Sequence, residues 1–154
     1  MAEIFGANSF DIWPNLAALL SAYLLAVPIG WNREKEDRSA GLRTFPLVAV
    51  ASCGVIQAVE PVMGGQAEPL ARVVEGLITG IGFIGGGAIL KMGENVRGTA
   101  TAASLWITGA IGAAIGLGSY DVAVMLSLVT VLSFAILRPF KKAAHCDGEP
   151  AADS

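Results

Sequence analysis

Five stretches of this chain are apolar over nearly the full thickness of a bilayer, and a soluble domain of this length cannot hide them all. A helix needs roughly 20 mostly apolar residues at about 1.5 Å each to cross the hydrocarbon. The runs Ile12–Trp31, Thr44–Met63, Leu70–Leu90, Thr99–Gly118 and Tyr120–Leu137 meet that requirement. Over 154 residues the chain is 54% hydrophobic and 15% charged, with a mean hydropathy of +0.62. An ordinary soluble domain carries about 25% charged residues, and one this apolar would leave large greasy patches facing water. The sequence therefore reads as all-α: a polytopic integral membrane bundle of five transmembrane helices, one domain over residues 1–140, with the lipid bilayer as its first partner. Pro46 falls in the first turn of the second run, where its missing donor would be unpaired anyway. Gly116, Gly118 and Ser119 predict a tight turn between the last two spans.

The basic residues set the orientation. Arg33, Lys35, Arg38 and Arg43 follow the first span, Lys91 and Arg97 the third, and Arg138, Lys141 and Lys142 the fifth, while only Arg72 lies on the other side. The positive-inside bias then puts the N-terminus outside and the C-terminus in the cytoplasm, with Trp13 and Trp31 in the aromatic belts at the ends of the first span. The first eleven residues hold no Lys or Arg, so no cleavable secretory signal is expected and the first run stays in the protein. With a net charge of −3 and no basic face, nucleic-acid binding is excluded. Cys53 lies in an apolar run and Cys146 in a polar tail, contexts too different for a disulfide. Residues 141–154 are polar and aperiodic, and are expected to form a disordered cytoplasmic tail. No internal repeat supports an inverted-repeat transporter within one chain.

The segment Gly80-Ile81-Gly82-Phe83-Ile84-Gly85 satisfies the GxGxxG pattern of a dinucleotide turn. Such a turn needs a strand before it and an acid about 20 residues beyond the glycines, whereas the preceding segment is apolar with helical patterning and Glu94 comes too soon. Packing accounts for the glycines instead. Gly76 and Gly80, and Gly82 and Gly86, are four apart, as are Ala100, Ser104, Thr108, Gly112 and Gly116 in the fourth span, so the two helices are expected to meet through small faces. The run Gly85–Gly87 weakens a helix and marks a break or a close crossing.

An ionisable group inside a span is a functional candidate by default. Glu75 is the clearest, read either as the partner of Arg72 three residues earlier or as a cation or proton site. Glu60, Asp11 and Asp121 lie toward the same outer side, where carboxylates suit a divalent cation such as Mg2+, although their spacing defines no metal site. Asn15, Gln57, Thr79 and Thr108 have the chemistry to bond across helices. His145, Cys146 and Asp147 form only a weak metal-capture motif in the tail. Nucleophile, base and orienting group never assemble into a catalytic set, so the chain is expected not to be an enzyme and to need no cofactor. The two inner loops are more specific. One ends in Ala40, Gly41, Leu42, Arg43 and Thr44; the other carries Glu94, Asn95 and Arg97. They present opposite charges that can pair, as Arg43 with Glu94, and form the expected partner-binding surface.

The segments SAGLRTFPLVAVASCG, TGIGFIGGGAI and NVRGTATAASLW, in that order, resemble the transmembrane domain of the MgtC/SapB family of bacterial inner-membrane proteins, over about Leu16 to Leu137. The matching positions are Ala40–Thr44; Gly80, Gly82, Phe83, Gly85 and Gly86; and Asn95, Arg97, Gly98, Thr101, Ala102 and Trp106. The resemblance implies a helical membrane domain tied to magnesium limitation. It further implies regulation of membrane partners, including the ATP synthase and magnesium transport proteins, more than transport of magnesium itself. The chain departs from the family pattern at Asn32, where many members have Glu, and at Glu75, where many have a neutral polar residue. Members associated with virulence carry a soluble C-terminal domain, whereas only a short tail follows Phe140 here, so the resemblance does not extend to a virulence role or to regulation through such a domain. The resulting expectation is an inner-membrane contributor to magnesium homeostasis, self-associating as a dimer or larger homo-oligomer through glycine faces. The rivals are a small oligomeric cation pathway built around Glu75 and a purely structural helper.

Overall fold

The computed structural model describes residues 12–35, 40–63, 66–92 and 95–146. Five helices occupy most of them: α1 Ile12–Glu34, α2 Thr44–Met63, α3 Ala67–Gly87, α4 Thr99–Gly116 and α5 Tyr120–Cys146. Each is long and apolar enough to span a membrane, α5 doing so between Tyr120 and Leu137. The all-α membrane bundle read from the apolar runs is the fold of the chain.

Its boundaries differ from the sequence reading: α1 runs on from Trp31 to Glu34, α3 starts at Ala67 and not Leu70, α4 ends at Gly116 and not Gly118, and three further departures have clear local reasons. First, α3 stops at Gly87 and not Leu90. After consecutive glycines the Ala88 and Ile89 amides turn back to the Gly85 and Gly86 carbonyls, at 3.0 and 3.1 Å, and the chain leaves the helix. Second, Leu90–Met92 (β1) and Asn95–Arg97 (β2) form an antiparallel ribbon with Leu90 opposite Arg97 and Lys91 opposite Val96. The ribbon delivers the chain to Gly98, whose φ of 92° suits glycine and where a Cβ would overlap the Ala88 carbonyl. Third, α5 continues to Cys146, so the first six residues of the expected disordered tail are helical. Two lysines and two alanines at 141–144 are good helix formers that extend the rod past its apolar part; residues 147–154, with Asp147, lie outside the described residues.

The turn after α4 satisfies its carbonyls in a Schellman arrangement. The Ser119 amide reaches Ala114 O at 2.8 Å and the Gly118 amide reaches Ile115 O at 2.9 Å, with Gly118 left-handed at φ 77°. The loop is short because the helix end itself makes the reversal.

At the centre stands α4, 56% buried along its span against 11% for α3. Small residues let its neighbours close in. A Cβ on Gly112 would overlap the Ala49 backbone of α2, and one on Gly116 would lie 2.7 Å from Ile56 Cβ. Gly109 is pressed by the Ile81 side chain of α3, and Gly85 of α3 lies against the backbone of Ala102. From the other side α1 contributes Ala18, Ala22 and Ala26, spaced four apart and buried. Leu105, Ile111 and Ile115 fill the space between.

Candidate functional site

The end of the bundle where the basic residues gather is built around the α1–α2 connection. Glu34 closes α1, and its Oε2 accepts the Leu42 amide at 3.0 Å. Gly41 makes this possible, since a Cβ there would collide with the Glu34 carboxylate. The Gly41 carbonyl in turn accepts the Thr44 and Phe45 amides, at 3.0 and 3.2 Å, which starts α2. Ala40 and Gly41 are buried and Phe45 is fully enclosed. Only Arg43 of the motif is an exposed charge, and it makes no ion pair or hydrogen bond among the described residues. Arg33, one of the basic residues used to set the expected orientation, is 3% exposed, with its guanidinium 3.9 Å from the Phe134 ring centroid of α5. Its Nη2 also donates to Asn32 Oδ1 at 3.2 Å. The second of the loops expected to be cytoplasmic is the β1–β2 ribbon, which exposes Lys91 and Arg97. Glu94, the expected partner of Arg43, lies outside the described residues.

The second feature is the outward face of α3. Glu75, Thr79, Gly82 and Gly86 stand at i, i+4, i+7 and i+11, which places them on one stripe of a helix with 3.6 residues per turn. All four are exposed. Among the described residues a Cβ on Gly82 or Gly86 would meet nothing within 4 Å, and the same holds for Gly76 and Gly80 further round the helix. Of the α3 glycines read as packing positions, Gly85 alone touches α4. Glu75 does not pair with Arg72. Arg72 reaches back to Glu68 at 3.0 Å, an acid one turn earlier, in the first turn of α3, where both the i,i+4 orientation and the helix dipole favour it. Glu75 is left exposed within the span, eight residues into α3.

The interior offers a cation little. Among the described residues the buried polar side chains are Arg33 and a set of hydroxyls, with no carboxylate. Ser52, Ser104, Thr108 and Thr130 each donate to a carbonyl four residues back in their own helix. Thr79 does the same to Glu75 O at 2.8 Å, so neither it nor Thr108 bonds across helices. Two interhelical bonds do form. Gln57 donates to Asn15 at 3.5 Å, and Ser127 of α5 donates to Leu25 O of α1 at 2.8 Å. Glu60 and Asp121 are exposed, Asp11 lies outside the described residues, and no three His, Cys, Asp or Glu side chains converge on a metal position among the described residues.

The model of the MgtC family matches residues 19–143, which include the Glu34–Thr44 connection, all of α3 and the ribbon. The chain belongs to the MgtC family. It is 39% identical over 132 residues to Protein MgtC of Brucella abortus (strain 2308), covering 83% of this chain and 55% of that protein. It is 36% identical over 127 residues to Protein MgtC of Salmonella typhimurium (strain LT2), covering 82% and 54% respectively. The chain spans about half the length of the curated relatives it matches. No solved structure matches it. Family membership and five apolar helices together make this a multi-pass membrane protein.

Seen as an MgtC-type membrane domain, the chain holds two features that its sequence did not single out. Glu34 is one of several charges of alternating sign, and nothing in that pattern marks it as the group that ties the loop. The ribbon had a signal that was readable. Gly93 is the first of two residues between Met92 and Asn95, the sequence signature of a type II′ hairpin, but the apolar run through Leu90 reads as more helix.

Proposed function

We propose that this chain contributes to magnesium homeostasis by associating with other membrane proteins and modulating them, and that it acts as a homo-oligomer assembled through the outward face of α3. The observation that carries the reading is the contrast between the two glycine-bearing helices. The glycines of α4 are consumed inside the bundle, whereas Gly82 and Gly86 share an open stripe with Glu75 and Thr79. Lipid gains nothing from such a stripe, since missing side chains forfeit contacts and a carboxylate in a span seeks a partner. A second copy supplies both close backbone approach and polar groups for Glu75. The basic ribbon and Arg43 then form the surface offered to other proteins on the cytoplasmic side, in the orientation that the basic residues favour. The names of the relatives and the family's link to magnesium limitation supply the physiological setting.

The rival is an oligomeric cation pathway through Glu75. Magnesium entry into liposomes separates the two. Purified protein is expected to give no entry above protein-free liposomes, with Glu75→Gln indistinguishable from wild type. Entry that Glu75→Gln abolishes replaces the modulator with a transporter.

A further inference from the structure

Between α2 and α3 runs a groove of about 560 Å³, lined from Arg43 and Thr44 to Ser52 on one side and from Ile84 to Gly76 on the other. It exists because α3 leans on α4, at Ile81 and Gly85, and barely touches α2, while Gly76 and Gly80 add no side chain to close the gap. Its walls are apolar along their length, and the one hydroxyl deep in it is already satisfied, since Ser52 Oγ donates to Val48 O at 2.8 Å. Nine residues of helix on each wall, Thr44–Ser52 and Gly76–Ile84, give it a length of about 12 Å at about 1.5 Å rise from one residue to the next. That is close to one leaflet of a hydrocarbon core about 30 Å thick. The volume falls within the range of roughly 300–1,000 Å³ typical of ligand sites.

We propose that this groove is a binding site for one anionic phospholipid of the leaflet on the basic side of the bundle. Its acyl chain lies along Gly76 and Gly80, and its phosphate meets Arg43. Charge complementarity selects the occupant. Arg43 is the charged residue of the groove, sits at its mouth where a headgroup lies, and makes no ion pair or hydrogen bond among the described residues. Its planar fork suits a phosphate diester. The adjacent N-terminus of α2 adds positive potential at the same spot. Among the described residues of this connection the carboxylate is Glu34, at the end of α1, and it is held on the Leu42 amide. A second copy of the chain on the Glu75 stripe leaves the groove open, because Gly76 and Gly80 lie about 100° round α3 from Glu75 and Thr79.

The test uses purified full-length protein in mixed micelles of phosphatidylglycerol and phosphatidylcholine, with lipids retained per chain counted by native mass spectrometry. Wild type should retain one phosphatidylglycerol in at least fivefold preference to phosphatidylcholine. Arg43→Gln should erase the preference. Gly80→Leu, whose Cβ has open space so that the helix folds, should lose the lipid while Arg43 remains in place. Equal retention of the two lipids by wild type overturns the site. So does a preference that survives Arg43→Gln, or retention unchanged in Gly80→Leu. Should Gly80→Leu instead split an oligomer without releasing lipid, the groove is covered by a second chain and the proposal fails.

Discussion

Glu34 and Arg33 sit side by side at the end of α1 and do opposite work: one carboxylate pins a loop, and one guanidinium is drawn under a ring. Glu34→Ala removes the acceptor of the Leu42 amide. Because a bond to a charged group is involved, the loss should be about 1.5–3 kcal/mol, read as a lower unfolding midpoint in detergent. Glu34→Gln, which keeps an acceptor oxygen, should recover most of it. Gly41→Ala is expected to be at least as damaging, since its methyl meets the same carboxylate. Arg33→Lys retains the charge yet should lose much of the stability that Arg33→Ala loses, because an ammonium does not stack on Phe134 as a planar guanidinium does. At this scale the sequence was legible only in part. The Ala40–Thr44 motif was visible as a unit, but its partner Glu34 was not, because a hydrogen bond from a carboxylate to an amide eight residues away leaves no periodic trace. Burial of Arg33 depends on α5, a helix about 100 residues later in the chain, and positive-inside counting treats every arginine alike.

Among the helices, glycine carries two meanings that spacing cannot separate. Gly112 and Gly82 each belong to a small-residue pair four apart, yet a Cβ on one would overlap the backbone of α2, and a Cβ on the other would meet nothing within 4 Å among the described residues. Gly112→Leu should therefore abolish accumulation of folded protein, since the obstacle is the Ala49 backbone and cannot swing away. Gly82→Leu should fold and insert normally, and its defect should appear in assembly. Disulfide crosslinking in membranes checks this directly. With Cys146→Ser as background, Gly82→Cys should give a dimer band that Gly82→Leu chains do not reproduce by chemical crosslinking. Span existence and order were readable because roughly 20 apolar residues force a helix in lipid. The α3 terminus was not, because Ile89 and Leu90 extend the apolar run beyond the glycines that end the helix.

For the whole molecule, a bundle whose central helix is packed on glycine, and in which Ser52, Ser104, Thr108, Ser127 and Thr130 donate their buried hydroxyls to carbonyls, has the character of a rigid membrane scaffold. Its chemistry faces outward, along α3 and at the basic end. The orientation expected from the basic residues is open to a simple check: a cysteine placed at Lys91 should react with a membrane-impermeant maleimide only after the cells are opened, while one at Arg72 should react in intact cells. In the function proposed above, family membership suggests the magnesium setting, and the open stripe on α3 is the proposed means of association. The most direct test of the account is growth under magnesium limitation of a bacterium lacking its own family member, rescued by wild type or by Gly82→Leu at equal membrane abundance. The account predicts that wild type restores growth and Gly82→Leu does not; full rescue by Gly82→Leu would contradict it.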